Sequence, residues 1–302
     1  MDTAISIQGL SKRFRERVAV DGLDLTVPRG SLYGFLGPNG AGKTTTIRIL
    51  LGLTRATSGD VSILGHPIPA DLSAVASTTG SVLEDPAFYP GMSARKHLQV
   101  LALTGGMKVT RNRIEEVLET VGLRDRAEDK VRKYSRGMRQ RLAIANALLS
   151  DPEVFILDEP ATGLDPSGVR DIRDVMVTLR QNNKTVFYSS HSLSEVEKIC
   201  DEVAIISKGK LVASGQLDSL MSGPTAVHAV VDDVDKALRI ASEKGWVAKR
   251  EGEGVSFHGV EAGQVNQALV AAGLVPSELR ASKRELEDIF LDLTDDGGVN
   301  DD

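Results

Sequence analysis

A single cysteine, Cys200, stands in the 302 residues, so no disulfide can close within the chain. That fits a reducing compartment. Long apolar runs are also missing. A bilayer span needs about 20 consecutive apolar residues, whereas the longest runs here, such as Val154 to Leu157, are strand-length. The opening residues, Met1 to Leu10, lack a basic stretch followed by an apolar one, so no secretory signal is legible. Work at a membrane is therefore expected to need a docking partner. Positive charge is not in excess either. A net charge of −6 removes the general electrostatic case for nucleic acid or an anionic membrane surface. Internal repeats and low-complexity tracts are absent before the C-terminal tail.

What is present points to a globular protein of about two domains, taking roughly 150 residues for each. Charge is unevenly shared: from Gly223 onward there are 16 acids and 8 bases, and the preceding residues carry 26 acids and 28 bases. A boundary near Ser222 follows, separating a domain over 1–222 from a smaller one over 223–294. The acidic, glycine-containing tail over 295–302 is expected to be disordered.

Ile5 and Ile7, then Leu23, Leu25 and Val27, alternate as strands do. Leu32 to Leu36 reads as a buried strand, entering a glycine-rich loop and then a helix over Thr45 to Leu53. Helical spacing marks Ser93 to Leu103, Arg111 to Val121 and Met138 to Leu149. Short apolar strands at Val154 to Leu157, Thr185 to Tyr188 and Val203 to Ile206 alternate with helical patterns, which predicts a parallel α/β sheet. After Gly223 the pattern restarts: a strand around Val227 to Val231, a helix over Val234 to Lys244, and strands at Trp246 to Lys249 and Gly254 to Phe257. A helix over Val260 to Ala272, an extended Leu274 to Leu279 and a helix over Arg284 to Leu293 complete it. That order is βαββαβ plus one helix.

Three segments carry chemistry. Gly37-Pro38-Asn39-Gly40-Ala41-Gly42-Lys43-Thr44 fits G-x-x-x-x-G-K-[ST]. Its glycines let backbone N–H groups turn inward onto phosphate oxygens, and the following helix adds its positive end. Lys43 would reach the β- and γ-phosphates and the Thr44 hydroxyl would hold Mg²⁺. The strand Val154 to Leu157 ends in Asp158 and Glu159, at the strand end where ligands sit in such sheets. Asp158 suits a magnesium-holding role, and Glu159 suits orienting or deprotonating the attacking water. Tyr134-Ser135-Arg136-Gly137-Met138 precedes a helix. On its own it reads first as an N-cap by Ser135, with an anion site as the alternative.

This ordered set resembles the nucleotide-binding subunit of ATP-binding cassette (ABC) transporters over about residues 4 to 217. Tyr134 to Met138 stands where that family's signature, usually LSGGQ, is expected. Thr162-Gly163-Leu164-Asp165 is similar to its D-loop, His191 to its switch histidine and Phe14 to its adenine-stacking aromatic. Glu84 stands where glutamine is usual. The resemblance implies an α/β fold, a P-loop NTPase of ABC type with a helical subdomain at about 85–150, beside a small α+β C-terminal module. It implies that ATP is held by Phe14, Gly37, Asn39, Gly40, Ala41, Gly42, Lys43, Thr44, Thr45 and Glu84. Ser135, Gly137 and Asp165 join that set. Mg²⁺ would be held by Thr44, Asp158 and Glu84, and Lys43, Glu159 and His191 would carry catalysis. A head-to-tail homodimer is implied, with Ser135 and Gly137 of one copy closing over the γ-phosphate held by the other. So is a membrane permease partner that keeps the protein at the cytoplasmic face. Arg136 and Met138 replace the signature's usual Gly and Gln. With the run Glu84 to Pro90 and the C-terminal Leu286 to Leu291, they resemble drug and peptide-antibiotic exporters of the daunorubicin- and bacitracin-resistance type.

A soluble cassette ATPase is the competing reading. Only about 90 residues separate Lys43 from Ser135, with no heptad run of the kind DNA-repair members insert there. Translation-type members carry two cassettes and this chain has one. Asn183-Lys184 is followed by Thr185-Val186, so no guanine-reading Asn-Lys-x-Asp is present and a GTPase is not expected. The C-terminal module could instead be a regulatory sensor. Phe88, Tyr89 and Met92 fit either local packing or the docking of a permease helix.

Overall fold

The computed structural model describes residues 2–84, 86–221, 226–282, 286, 289 and 290. Two compact units divide the chain, Met1–Gln216 and Leu217–Asp302. The division falls a few residues ahead of the boundary expected near Ser222, which lies outside the described residues.

The first unit carries two sheets. An antiparallel one runs in the order Arg17–Pro28, Thr3–Phe14, Ser58–Ile63, His66–Ile68. Ile5 lies opposite Val27 and Ile7 opposite Leu25, so the alternating apolar residues share one face and all four are buried. The six-stranded sheet has the order Lys210–Gln216, Glu202–Ser207, Leu32–Leu36, Thr185–Ser190, Val154–Leu157, Thr79–Val82. Its pairs are parallel, except that Lys210–Gln216 runs antiparallel to its neighbour. Leu32–Leu36 and Val154–Leu157 are buried at every residue, which is why they read as continuous apolar runs. The two outermost strands were not foreseen. Thr79-Gly80-Ser81-Val82 has no apolar run, and Lys210–Gln216 is half exposed along its length.

Register positions the chemistry. Leu36 lies opposite Ser190 and Ile205, Leu157 opposite Tyr188, and Val82 opposite Leu157. Parallel strands ending level deliver Gly37, Asp158, Glu84 and His191 to one edge of the sheet. The helices Ala94–Thr104, Arg111–Thr120 and Arg136–Leu148 form the expected helical region. Each is capped by its preceding hydroxyl: Ser93 accepts from the Lys96 N–H, Thr110 from that of Arg113 and Ser135 from that of Met138.

The second unit contains strands Ala226–Val230, Val247–Glu251, Gly254–His258 and Glu278–Ser282 and helices Val234–Glu243 and Ala262–Ala271. The sheet is antiparallel, with Ala226–Val230 between Gly254–His258 and Glu278–Ser282 and Val247–Glu251 at the far edge. The βαββαβ order is the one read from the pattern. Its last strand starts later than expected. The Leu274 N–H still donates to the Leu269 carbonyl at the end of the preceding helix, and Pro276 has no N–H to offer a ladder. Pairing therefore begins at Glu278, opposite Val230. The helix expected over Arg284 to Leu293 and the acidic tail lie outside the described residues, apart from Leu286, Ile289 and Phe290.

Candidate active site

The loop from Gly37 to Thr44 leaves a fully buried strand and is pressed against its surroundings. A Cβ on Gly37 would fall 2.3 Å from the Ile206 carbonyl oxygen. One on Gly42 would fall 2.5 Å from the Ala19 carbonyl oxygen, and Gly42 also holds φ at 114°. Only glycine meets both conditions. The helix Lys43–Leu50 follows with no side-chain cap on Gly42, which leaves its first-turn N–H groups for an anion.

Lys43 is buried, and its ammonium turns back into the loop. Nζ donates to the carbonyl oxygens of Gly37 at 2.6 Å and Pro38 at 3.2 Å, and lies 3.1 Å from Glu159 Oε1. The other carboxylate oxygen of Glu159 accepts from the Thr162 hydroxyl at 2.6 Å and lies 2.6 Å from His191 Nδ1. With a carboxylate as acceptor, Nδ1 carries the hydrogen of that bond. Burial pushes the Glu159 carboxyl up. The bonds from Thr162 and His191 and the neighbouring Lys43 ammonium outweigh it and hold the group below its ordinary range. Glu159 itself sits at φ 51°, the left-handed region, and its N–H donates to Ser189 Oγ at 2.9 Å.

The Ser189 hydroxyl donates in turn to Asp158 Oδ1 at 2.7 Å. Asp158 is 1% exposed, and its Oδ2 is buried without a hydrogen-bond partner. An orphaned carboxylate oxygen in such a place is costly and fits the second sphere of a hydrated cation. No group of three or more His, Cys, Asp or Glu side chains that could hold a metal occurs among the described residues. An oxygen-loving cation that keeps most of its water, such as Mg²⁺, suits that donor set better than zinc does.

Around these groups lies a cleft of about 410 Å³, lined by Phe14, Arg17, Ala19, Asn39, Gly40, Gly42, Lys43, Thr44, Thr45, Glu84, Glu159, Thr162 and His191. Phe14 is half exposed at its mouth, with Lys12 Nζ 4.8 Å from the ring centroid.

A family model described as "ABC transporter" matches residues 20–162. The uncharacterized ABC transporter ATP-binding protein YhcH of Bacillus subtilis is 40% identical, covering 97% of each chain. The bacitracin transport ATP-binding protein BcrA of Bacillus licheniformis is 39% identical, covering 99% of this chain and 100% of that one. This chain belongs to the ABC transporter ATP-binding proteins. It is an ATPase of that family, with the P-loop cassette fold read from its motifs and a likeness to exporter-type members. The structure of cbiO1 from Clostridium perfringens covers 80% of this chain and 96% of its own, with 23% identity and a TM-score of 0.67. That likeness bears on the fold alone.

In this ABC ATPase, Phe14, Asn39, Gly40, Gly42, Lys43, Thr44, Thr45, Glu84, Glu159 and His191 face one cleft. Gly37 receives the Lys43 ammonium, and Ala41 is buried within the loop. Ser135, Gly137 and Asp165 do not line it. Ser135 Oγ accepts from the Met138 N–H at 3.2 Å, the capping reading of that serine. Asp165 caps the helix Pro166–Gln181, accepting from the Gly168 N–H at 3.2 Å and the Ser167 hydroxyl at 2.6 Å. Those bonds hold its carboxyl below the ordinary range.

Sequence reasoning missed Arg17 and Ser189 and named Thr162 only within the D-loop-like run. Arg17 projects over the loop, 3.4 Å from where a Cβ on Gly40 would sit. Thr162 and Ser189 orient the acidic pair. Arg17 was findable from its place directly across the hairpin from Phe14. Nothing local in sequence marks Ser189, whose partner Asp158 is brought close only by strand register.

Proposed function

We propose that this ATPase powers an exporter for a drug, peptide-antibiotic or lipid-like cargo. The domain over 1–222, with its helical subdomain at about 85–150, does the nucleotide work, and the domain over 223–294 is accessory. Two copies sit head to tail on a membrane permease at the cytoplasmic face. Phe14 stacks on adenine, and the loop from Gly37 to Thr45 binds the phosphates.

The observation that carries the mechanism is the double hold on Glu159. Lys43 takes one carboxylate oxygen, while Thr162 and His191 take the other. When β- and γ-phosphate oxygens attract Lys43 away from Glu159, Oε1 becomes free to accept a hydrogen from water, while Oε2 stays fixed. His191 then stands beside both the carboxylate and the terminal phosphate. Ser135 and Gly137 of the other copy supply donors to that phosphate, and Asp165 lies at the same junction. Thr44, Asp158 and Glu84 would hold Mg²⁺, which would supply charge neutralisation at the phosphates.

The test is Glu159→Gln. ATP binding should survive, while kcat falls by roughly 10² to 10⁴ and ATP traps a dimer seen by size-exclusion chromatography. Normal turnover would sink the assignment. Co-purification of the native chain with a polytopic membrane protein tests the transport reading, and its consistent absence from membranes would reject it.

A further inference from the structure

Three contacts join the helix Arg136–Leu148 to the helix Pro166–Gln181 and the loop before it. Gly137 approaches Gly168 so closely that a Cβ on Gly137 would lie 3.6 Å from the Gly168 Cα. Further along, Arg141 Nη2 lies 3.3 Å from Asp171 Oδ2. At the loop, the Arg136 guanidinium covers Gly163: a Cβ there would fall 2.5 Å from Nη1 and 2.7 Å from Cζ. Gly163 holds φ at 72°, a region that glycine enters readily and also leaves readily.

The loop also has space beside it. A cavity of about 540 Å³ borders Ala161, Thr162, Gly163 and Leu164. The planar guanidinium therefore restrains the loop at Gly163, and the cavity leaves the loop room to move where that restraint is lost. The residue beside Gly163 is Thr162, whose hydroxyl donates to Glu159 Oε2 at 2.6 Å. A contact two residues long thus runs from the start of one helix to the carboxylate at the centre of the cleft.

We propose that Arg136 is a positioning residue for Glu159: by clamping Gly163 it keeps the Thr162 hydroxyl on the carboxylate. Movement of the segment Ser135–Gly137 is thereby felt at Glu159 of the same chain. The proposal rests on Glu159 being the group that activates water.

The test is a double-mutant cycle on the full-length protein with Arg136→Ala, Thr162→Val and both together. Arg136→Ala should lower kcat on the order of tenfold, as small misplacements of a reacting group do, with the KM for ATP little changed. Thr162→Val should lower kcat by a similar factor, and the double variant should lose no more than the worse single one, because both break one path.

Rescue gives the second readout. Thr162→Ser keeps the hydroxyl and should hold kcat near the native value, and Arg136→Ala should lower kcat in that background by the factor seen in the native protein. A merely structural arginine would cost the same factor in the Thr162→Val background as well. Losses that multiply, an unchanged kcat in Arg136→Ala, or a loss confined to KM would each overturn the proposal. The last result would place Arg136 on nucleotide held by a second copy. Normal turnover in Glu159→Gln is a different failure, since it removes the base assignment beneath the proposal.

Discussion

Arg17 shows how a side chain can belong to the site without belonging to a motif. The hairpin that carries Phe14 turns through Arg15 and Glu16 and pairs Arg17 with Phe14 across the two strands. Phe14 stands at the cleft mouth, and the Arg17 guanidinium lies over Gly40 in the phosphate loop. With adenine on Phe14 and phosphate on the loop, as proposed, such a cation would meet the part of a nucleotide nearest the ribose. A hydrogen bond to such a charged group is worth about 1.5 kcal/mol, roughly tenfold in affinity. Arg17→Ala should therefore weaken ATP and ADP binding by the same factor in titration calorimetry, while kcat at saturating ATP stays near that of the native protein. A loss seen with ATP alone would move Arg17 to the terminal phosphate and contradict this placement.

Helices and strands decide which residues meet, and they also explain what the sequence left illegible. The glycine loop and Asp158-Glu159 could be read directly because each is contiguous and ends an apolar strand of fixed length. His191 was reached by resemblance, and the register of Leu157 against Tyr188 brings its ring to Glu159. The edge strand Thr79–Val82 was illegible because one sheet neighbour, not an apolar run, holds it in place. Ser135 keeps both of its readings at this scale, since a cap and an anion donor use the same hydroxyl. Ser93 caps its own helix in the same manner and serves as the control. Replacing either serine by alanine should cost about 1 kcal/mol of stability, the usual value of a lost cap, measured by denaturant unfolding. Turnover should fall in Ser135→Ala and stay unchanged in Ser93→Ala. Equal turnover in both would leave Ser135 as a cap and nothing more.

At the scale of the whole molecule, the proposed head-to-tail pairing would give each copy two half-sites. Within one chain, Lys43, Glu159 and His191 share a cleft that Ser135 and Gly137 do not line. If those donors complete the site from a second copy, turnover needs an encounter, and mass action sets how many sites are complete. Specific activity at saturating ATP should then rise with protein concentration and level off once most chains are paired. At low concentration the total rate should scale with the square of chain concentration. The Glu159→Gln variant mixed into native protein should inhibit by forming mixed pairs, in proportion to its share of the chains. Measuring phosphate release across a dilution series checks both points. A specific activity that stays flat from the nanomolar to the micromolar range, with size-exclusion chromatography showing single chains throughout, would mean that one copy hydrolyses ATP alone. The capping role of Ser135 would then be its whole role.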